Sequence, residues 1–268
     1  MLRIESLHKY PVKSCHRISP DHLSFEPWGA AGDRQWGVFD PDGVFLTQRA
    51  HPVMARIGVQ VDGAGLVLQC AGQSDLAVAV PAGAERSVRV WGDDMPAVDA
   101  GEGAAHWLSQ VIGHPCRLAY MASPATARPR LYDGNGFHVS FADEFPVLVC
   151  TTASLADLNT HLASPVPMTR FRPNVVIAGA EPWEEDSWTR LRIGTVELRL
   201  VKPCPRCGVT TVDQESGALP DRREPLRALA EFRKQPGGVM FGQNAVVDVP
   251  GMMRVGDEVT VLERRAVS

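Results

Sequence analysis

KPCPRCGVTTVD, at residues 202–213, places two thiols and two prolines next to cationic side chains. Each proline lacks a backbone N–H and fixes φ, so we predict a rigid, irregular loop over residues 202–207 rather than a continued strand. The β-branched residues that follow predict a strand over residues 208–212. A thiol held on such a loop is presented to its surroundings, so this stretch is the first candidate for a functional site.

Four interpretations of the Cys204 and Cys207 pair are open: packed core cysteines, a redox dithiol, half of a zinc site, or a thiolate ligand for a softer metal carried by a cofactor. A zinc site needs four ligands, but no second CxxC and no HxxxH pattern occurs among the eight histidines. A thioredoxin-like dithiol needs a helix N-terminus, where a strand is predicted. The CxxC spacing alone favours a pair of packed core cysteines. The cations Lys202 and Arg206, however, stabilise the thiolate form of a nearby cysteine, and the thiolate is the form that binds metals.

Composition predicts a folded protein that does not bind nucleic acid. The 268 residues are 44% hydrophobic and 22% charged, as in ordinary globular proteins, and the net charge of -4 offers no basic face for a polyanion. No apolar run reaches the roughly 20 residues that span a bilayer, and the first residues lack a signal-peptide core. We therefore expect a cytoplasmic protein without a membrane segment, whose six cysteines are free thiols.

Short strand patterns separated by Gly, Asp and Pro turns run through both halves of the chain. Helices are predicted over residues 104–112 and 225–232, and a third is expected to be capped by Ser154. The stretch 122–135 is rich in Pro, Arg and Gly without a clear period, which makes it the best boundary. Strands are predicted at residues 2–7, 35–39, 44–47, 55–61, 65–70, 76–80, 87–91, 116–120, 147–151, 174–177, 191–193, 196–201, 209–212, 245–249 and 258–262.

Three other stretches carry basic side chains next to predicted strands. Arg172 and Asn174 come immediately before the β-branched run at 175–177, Lys13 and Ser14 follow the first strand, and Arg34 precedes the strand at 35–39. A guanidinium offers paired donors to a phosphate, yet each position alone fits an ordinary solvated surface. No phosphate-binding GxxxxGK[ST], complete dinucleotide fingerprint or GxSxG is present, which argues against nucleotide hydrolysis and α/β-hydrolase chemistry.

Taken in order along the chain, six motifs make the sequence resemble the MOSC family (molybdenum cofactor sulfurase C-terminal domain), including its bacterial and amidoxime-reducing members. The similarity covers nearly the whole chain. The motifs are Tyr10-Pro11-Val12-Lys13-Ser14-Cys15, Asp33-Arg34, Ala153-Ser154-Leu155, Phe171-Arg172-Pro173-Asn174, Cys204-Pro205-Arg206-Cys207 with Thr210-Thr211-Val212-Asp213, and Phe241-Gly242-Gln243.

This resemblance implies a mainly β fold with a few helices (α+β). An N-terminal MOSC β-barrel-like domain over residues 1–122 would pack on a β-barrel MOSC domain over residues 123–268. It also implies a molybdenum cofactor, a pterin dithiolene that holds molybdenum, with Cys207 as the protein thiolate ligand. Soft thiolate suits such a sulfur-rich centre.

The same matching implies which other residues contact the cofactor. Thr152 and Asn244 depart from some family members, which carry an acid and a tyrosine there, but they occupy cofactor-contacting positions. The implied cofactor-binding residues are Lys13, Ser14, Arg34, Thr152, Ser154, Arg172, Asn174, Arg206 and Asn244, with Cys207 as the metal ligand and catalytic residue.

The activity implied is the reduction of N-hydroxylated compounds, such as hydroxylamines and amidoximes, to amines. The chain lacks the clustered C-x₄-C-x₂-C cysteines of a ferredoxin-like domain, so the electrons would come from a separate ferredoxin-like or cytochrome-like protein and its reductase. Two alternatives are a molybdenum cofactor carrier or sulfur-transfer module without its own turnover, and a β-rich binding protein with no catalysis.

Overall fold

Strands dominate the structure, a computed structural model that describes residues 1–63 and 65–265. The first ten are β1 Arg3–Leu7, β2 His22–Glu26, β3 Gly29–Ala30, β4 Trp36–Phe39, β5 Gly58–Val61, β6 Gly65–Gln69, β7 Leu76–Ala79, β8 Glu85–Val90, β9 Asp93–Asp99 and β10 Arg117–Tyr120. The others are β11 Pro129–Tyr132, β12 Asn135–His138, β13 Val147–Thr151, β14 Val175–Ala178, β15 Trp188–Ile193, β16 Val196–Pro205, β17 Lys234–Gln235, β18 Gly238–Val249, β19 Gly251–Arg254 and β20 Val259–Arg264.

Helices are fewer and short. The α-helices are α1 Glu102–Ile112, α2 Pro124–Ala127, α3 Thr152–Thr160 and α4 Leu226–Phe232, and 3-10 turns cover Pro52–Arg56, Met168–Phe171, Glu184–Ser187 and Gly208–Thr211. This mainly β fold with a few helices confirms the predicted fold class. Residues 266–268, at the end of the predicted second domain, lie outside the described residues.

The largest sheet has the order β1-β14-β13-β18-β16-β15-β20, with β17 added beside β18. All its pairs are antiparallel except β13 with β14. One face of this sheet carries a core of buried, mostly aliphatic side chains from nearly every strand, and Trp188 belongs to this core. Strand β1 pairs with β14 and β2 pairs with β19, so the chain's first strands join sheets of its second half. The division at residue 122 remains a prediction.

The first half builds two smaller antiparallel sheets, β4-β10-β9-β8 and β5-β6-β7. Helix α1 turns its Trp107 and Leu108 onto a core that includes residues of both sheets. Its left-handed C-cap is Gly113, a conformation that glycine adopts without a Cβ penalty. This helix confirms the one predicted at 104–112.

The stretch 202–213 differs from its prediction in two ways. Strand β16 continues through Pro203 to Pro205, because register irregularities against β18 at this point accommodate the missing N–H groups. Residues 208–211 then form a 3-10 turn instead of a strand. The hydroxyls of Thr210 and Thr211 donate to the carbonyls of Cys207 and Gly208, at 3.0 and 2.9 Å. Such local bonds compete with strand pairing.

Other local predictions are also wrong. Helix α3 is capped by Thr151, whose hydroxyl accepts from the Ser154 N–H at 3.2 Å, so Ser154 lies inside the first turn. The strand predicted at 55–61 is split, because Pro52 begins a 3-10 turn that runs to Arg56 before β5 starts. Within 122–135, where no regular structure was predicted, the chain forms α2, β11 and the start of β12.

His8, just after β1, predicts a pH dependence of stability. It is buried, hydrogen-bonded to the hydroxyls of Ser6 and Ser19, and burial, with help from Arg17, lowers its pKa to about 4. Since the folded pKa lies below the unfolded value of 6.5, the unfolded chain binds more protons between these values. We therefore expect the free energy of unfolding to fall by about 2–3 kcal/mol from His8 alone between pH 7 and pH 4.5.

Urea unfolding at both pH values measures this loss, and His8→Gln supplies the control because glutamine does not titrate. The variant should lose less stability on acidification than the wild-type protein. Equal losses in the two proteins would contradict the assignment.

Candidate functional site

A cavity of about 450 Å³ opens where the two halves of the chain meet. Its volume lies within the range of small-molecule and cofactor sites. Eight of the ten residues predicted from the sequence line it, although they are spread over more than 230 positions of the chain, from residue 13 to residue 244. They are Lys13, Ser14, Arg34, Arg172, Asn174, Arg206, Cys207 and Asn244.

Lys13 lies in the loop after β1, with its ammonium against Asp143. Nζ donates to the Asp143 carboxylate at 2.5 Å, and Trp91 Nε1 donates to the same oxygen at 3.1 Å. Burial lowers the pKa of Lys13, and Asp143 partly opposes this. Burial would raise the pKa of Asp143, but Lys13 and Trp91 outweigh it and hold that pKa well below its usual value. Lys13 and Asp143 thus form an ion pair in the cavity wall.

Arg34 and Arg172 stack on the ring of Tyr10, with guanidinium carbons 4.4 and 4.1 Å from its centroid. Both backbones are left-handed, with φ of 47° and 54°, which turns the chain sharply at each residue. Burial raises the pKa of Tyr10 to about 12 and lowers that of Arg172 to about 10, so at neutral pH the phenol is neutral and Arg172 is charged. Asp33 balances Arg34 at 2.5 Å. Within residues 1–63 and 65–265, Arg172 has no carboxylate at salt-bridge distance.

Two buried glutamines hold the loop after β1 against Arg172. Gln48 donates to the Ser14 carbonyl at 2.8 Å, and Gln214 donates to Gln48 at 2.9 Å. The side-chain oxygen of Gln214 accepts from Arg172 Nη1 at 2.8 Å. This network fixes the relative positions of Ser14 and Arg172, which come from opposite halves of the chain.

The structure distinguishes the two cysteines. Cys207 is exposed and lines the cavity, as the N-cap of the 3-10 turn. Cys204 is half-buried, and its sulfur accepts from Arg206 Nη1 at 2.9 Å. Burial raises the pKa of Cys204 against the opposing effect of Arg206. Arg206 also donates to the Phe171 carbonyl at 2.7 Å, so this guanidinium is held by Cys204 and leaves the Cys207 sulfur to the cavity.

Three lining residues have buried donors without a hydrogen-bond partner among the described residues: Arg172 Nη2, Arg206 Nε and Asn244 Nδ2. A buried donor without a partner is costly, so these atoms indicate an acceptor-rich ligand. The donor set fits an anionic pterin cofactor. In the part of the chain that the structure describes, no three His, Cys, Asp or Glu side chains cluster to hold a metal ion.

The other two predicted residues, Thr152 and Ser154, do not line the cavity. Ser154 is fully buried, donates to the Glu185 carboxylate at 2.8 Å and accepts from the Trp183 N–H at 2.7 Å. Burial raises the pKa of Glu185. Helix α3 thus directs Ser154 into an internal polar network rather than towards the site.

Several residues of the site were not predicted. Asp143, Trp91 and Arg49 line the cavity, and Gln48 and Gln214 support it. Of these five residues, Gln214 has a signal in the local sequence, because it directly follows the 202–213 stretch. The others owe their roles to partners far away in the sequence.

Comparisons with known proteins identify the family of the chain. The MOSC domain family matches residues 137–260, and the MOSC N-terminal beta barrel domain matches residues 1–115. The chain belongs to the MOSC family, with both of these domains. No helix within residues 1–63 and 65–265 combines the length and the apolar character needed to cross a membrane.

Several named relatives of the chain are amidoxime-reducing components. It is 34% identical to mitochondrial amidoxime-reducing component 1 of Homo sapiens, over 97% of this chain and 82% of that protein. It is 33% identical to mitochondrial amidoxime reducing component 2 of Bos taurus, over 96% and 82%. A solved structure, the YUAD protein from Bacillus subtilis, matches with a TM-score of 0.43 and 11% identity, over 97% of this chain and 94% of that chain.

Proposed function

We propose that this protein is a molybdenum-cofactor-dependent reductase that converts N-hydroxylated compounds, such as hydroxylamines and amidoximes, to amines. The observation that carries the proposal is the exposed Cys207 thiol on the wall of a cavity whose buried Arg and Asn donors have no hydrogen-bond partner in the described part of the chain. The names of the relatives, amidoxime-reducing components, support the substrate class.

The chain's own residues divide the work of holding the cofactor. Cys207 would supply the protein thiolate, since thiolate suits a soft metal. Arg172, with its unpartnered Nη2, would bind the anionic part, and Asn244 and Arg206 would donate to its polar atoms. Bound molybdenum cofactor supplies the two-electron chemistry that cleaves an N–O bond. Lys13 Nζ, which donates to Asp143, is a group of the cavity wall that can hold a proton.

The proposed reaction consumes two electrons and two protons and releases one water for each amine formed. We propose that the electrons come from a separate ferredoxin-like or cytochrome-like protein and its reductase, and that the protein works in the cytoplasm. The cavity opening would then be shared, in turn, by substrate and by the reducing protein.

Purification from a cofactor-producing host tests the proposal directly. We expect molybdenum and pterin to co-purify in roughly equal amounts with the protein, and benzamidoxime to be reduced to benzamidine when a chemical reductant supplies electrons. Metal analysis, pterin fluorescence and chromatography of benzamidine measure these results. Cofactor without turnover under a strong reductant would favour the carrier or sulfur-transfer alternative. Absence of cofactor would contradict both.

A further inference from the structure

Trp91 has an unusual position for a large side chain. It occupies the turn between β8 and β9 with a left-handed φ of 57°, and 46% of its surface is exposed. That backbone conformation is costly for a bulky residue, and such outliers concentrate where the side chain has a function. Trp91 also lines the cavity. The exposed ring is therefore part of the wall of the site.

Contacts on both sides hold this exposed ring in place. Its Nε1 donates to Asp143 at 3.1 Å, and its edge meets Phe45 with centroids 5.0 Å apart. Two residues later, Asp93 accepts from the buried Arg128 at 2.9 Å, which anchors the backbone of the turn. A ring fixed in this way loses little freedom when a ligand stacks on it.

Arg49 completes the surface. Its guanidinium lies 4.6 Å from the Trp91 ring centroid, and its Cγ is 4.0 Å from where a Cβ on Gly208 would lie, beside Cys207. Arg49 is the exposed cationic residue among those that line the cavity in the described chain. No carboxylate of the described residues lies within ion-pair distance of Arg49. Lys13, Arg34 and Arg130 each have an acidic partner.

We propose that Trp91 and Arg49, here called the Trp91–Arg49 wall, recognise planar N-hydroxylated substrates that carry a carboxylate. The inference rests on the proposed function and specifies its substrate class. An indole and a guanidinium both stack on flat conjugated groups, and a guanidinium pairs with a carboxylate through two donors. Small, non-planar hydroxylamines gain neither contact.

Ligand binding to the protein as isolated from the cofactor-producing host tests the wall without relying on turnover. Calorimetry gives Kd for 4-carboxybenzamidoxime, benzamidoxime and N-methylhydroxylamine. Trp91→Leu should weaken both planar ligands about tenfold relative to N-methylhydroxylamine, while Trp91→Phe, which keeps a ring, should restore most of the affinity. Arg49→Gln should weaken the carboxylated ligand about three- to tenfold relative to benzamidoxime, and less at high salt.

Matched controls are Phe232→Leu and Arg254→Gln, an exposed aromatic and an exposed arginine outside the cavity, which should leave all three Kd values unchanged. Equal weakening of all ligands in the Trp91 and Arg49 variants, or no binding of planar ligands by the wild type, would overturn the wall. Loss of molybdenum in Arg49→Gln would overturn its assignment to substrate. Selective binding without turnover would support the wall and contradict the proposed function.

Discussion

Cys207→Ser is expected to lose more than about nine-tenths of the molybdenum that the wild-type protein retains. Changes to groups that only support metal ligands already cost 10–100-fold in affinity, and this change replaces the proposed ligand itself with a poor donor for a soft metal. Cys207 is exposed in the cavity, so the hydroxyl creates no void in the core. Metal analysis of the purified variant, with its thermal unfolding midpoint beside it, measures the effect on a folded protein.

The matched control is Cys204→Ser, three residues away. Cys204 accepts from Arg206 at 2.9 Å, a role that a serine oxygen also fills, so molybdenum content should change little. Unchanged molybdenum content and activity in Cys207→Ser would contradict the assignment of Cys207 as the metal ligand. Equal losses in the two variants would indicate that the loop, rather than one sulfur, holds the metal.

Arg128→Met should produce the largest loss of stability that we expect from a single change, about 3–5 kcal/mol. Arg128 is 2% exposed and donates to the carbonyls of Ser140, Ala142 and Asp143 and to the Asp93 carboxylate. Methionine fills the space but leaves these acceptors unpaired in a buried place. Urea unfolding followed by tryptophan fluorescence gives the change in free energy.

Arg130→Met serves as the comparison because Arg130 also pairs with Asp93 but from a more solvated position, with 23% of its side chain exposed. We expect a loss of no more than about 1 kcal/mol there. Similar losses in both variants would show that Arg128 acts through Asp93 alone and that its three carbonyl contacts contribute little.

Local patterns in the sequence predicted most elements of the fold because their signals are local. Strand β13 has the predicted bounds, and α1 begins two residues before its prediction. The failure at 208–211 has a different origin. Arg170, from a distant segment, donates to the Thr210 and Thr211 carbonyls at 3.4 and 2.6 Å and stabilises a 3-10 turn where β-branched residues favour a strand.

The candidate site shows the same division. The order of the motifs predicted a common site for Lys13, Arg172 and Cys207, and in the structure all three line one cavity. Asp143 and Trp91 belong to no motif. Asp143 owes its role to Lys13, which is 130 positions away in the sequence, and Trp91 owes its role to Asp143, which is 52 positions away. Ser154 also belongs to a motif, yet its hydroxyl donates to the buried Glu185 instead of facing the cavity. Its place in the first turn of α3 depends on Thr151, the residue that caps the helix.

The pairing of β1 with β14 and of β2 with β19 has a consequence for biosynthesis. A strand cannot pair until its partner has been made, and β19, at Gly251–Arg254, lies more than 220 residues after β2. Long-range pairing of this kind is slow to form. The loop between β1 and β2, which carries Lys13 and Ser14, is therefore flanked by two paired strands only after β19 has been synthesised. A cofactor could enter the completed cavity only after this distant strand has been made.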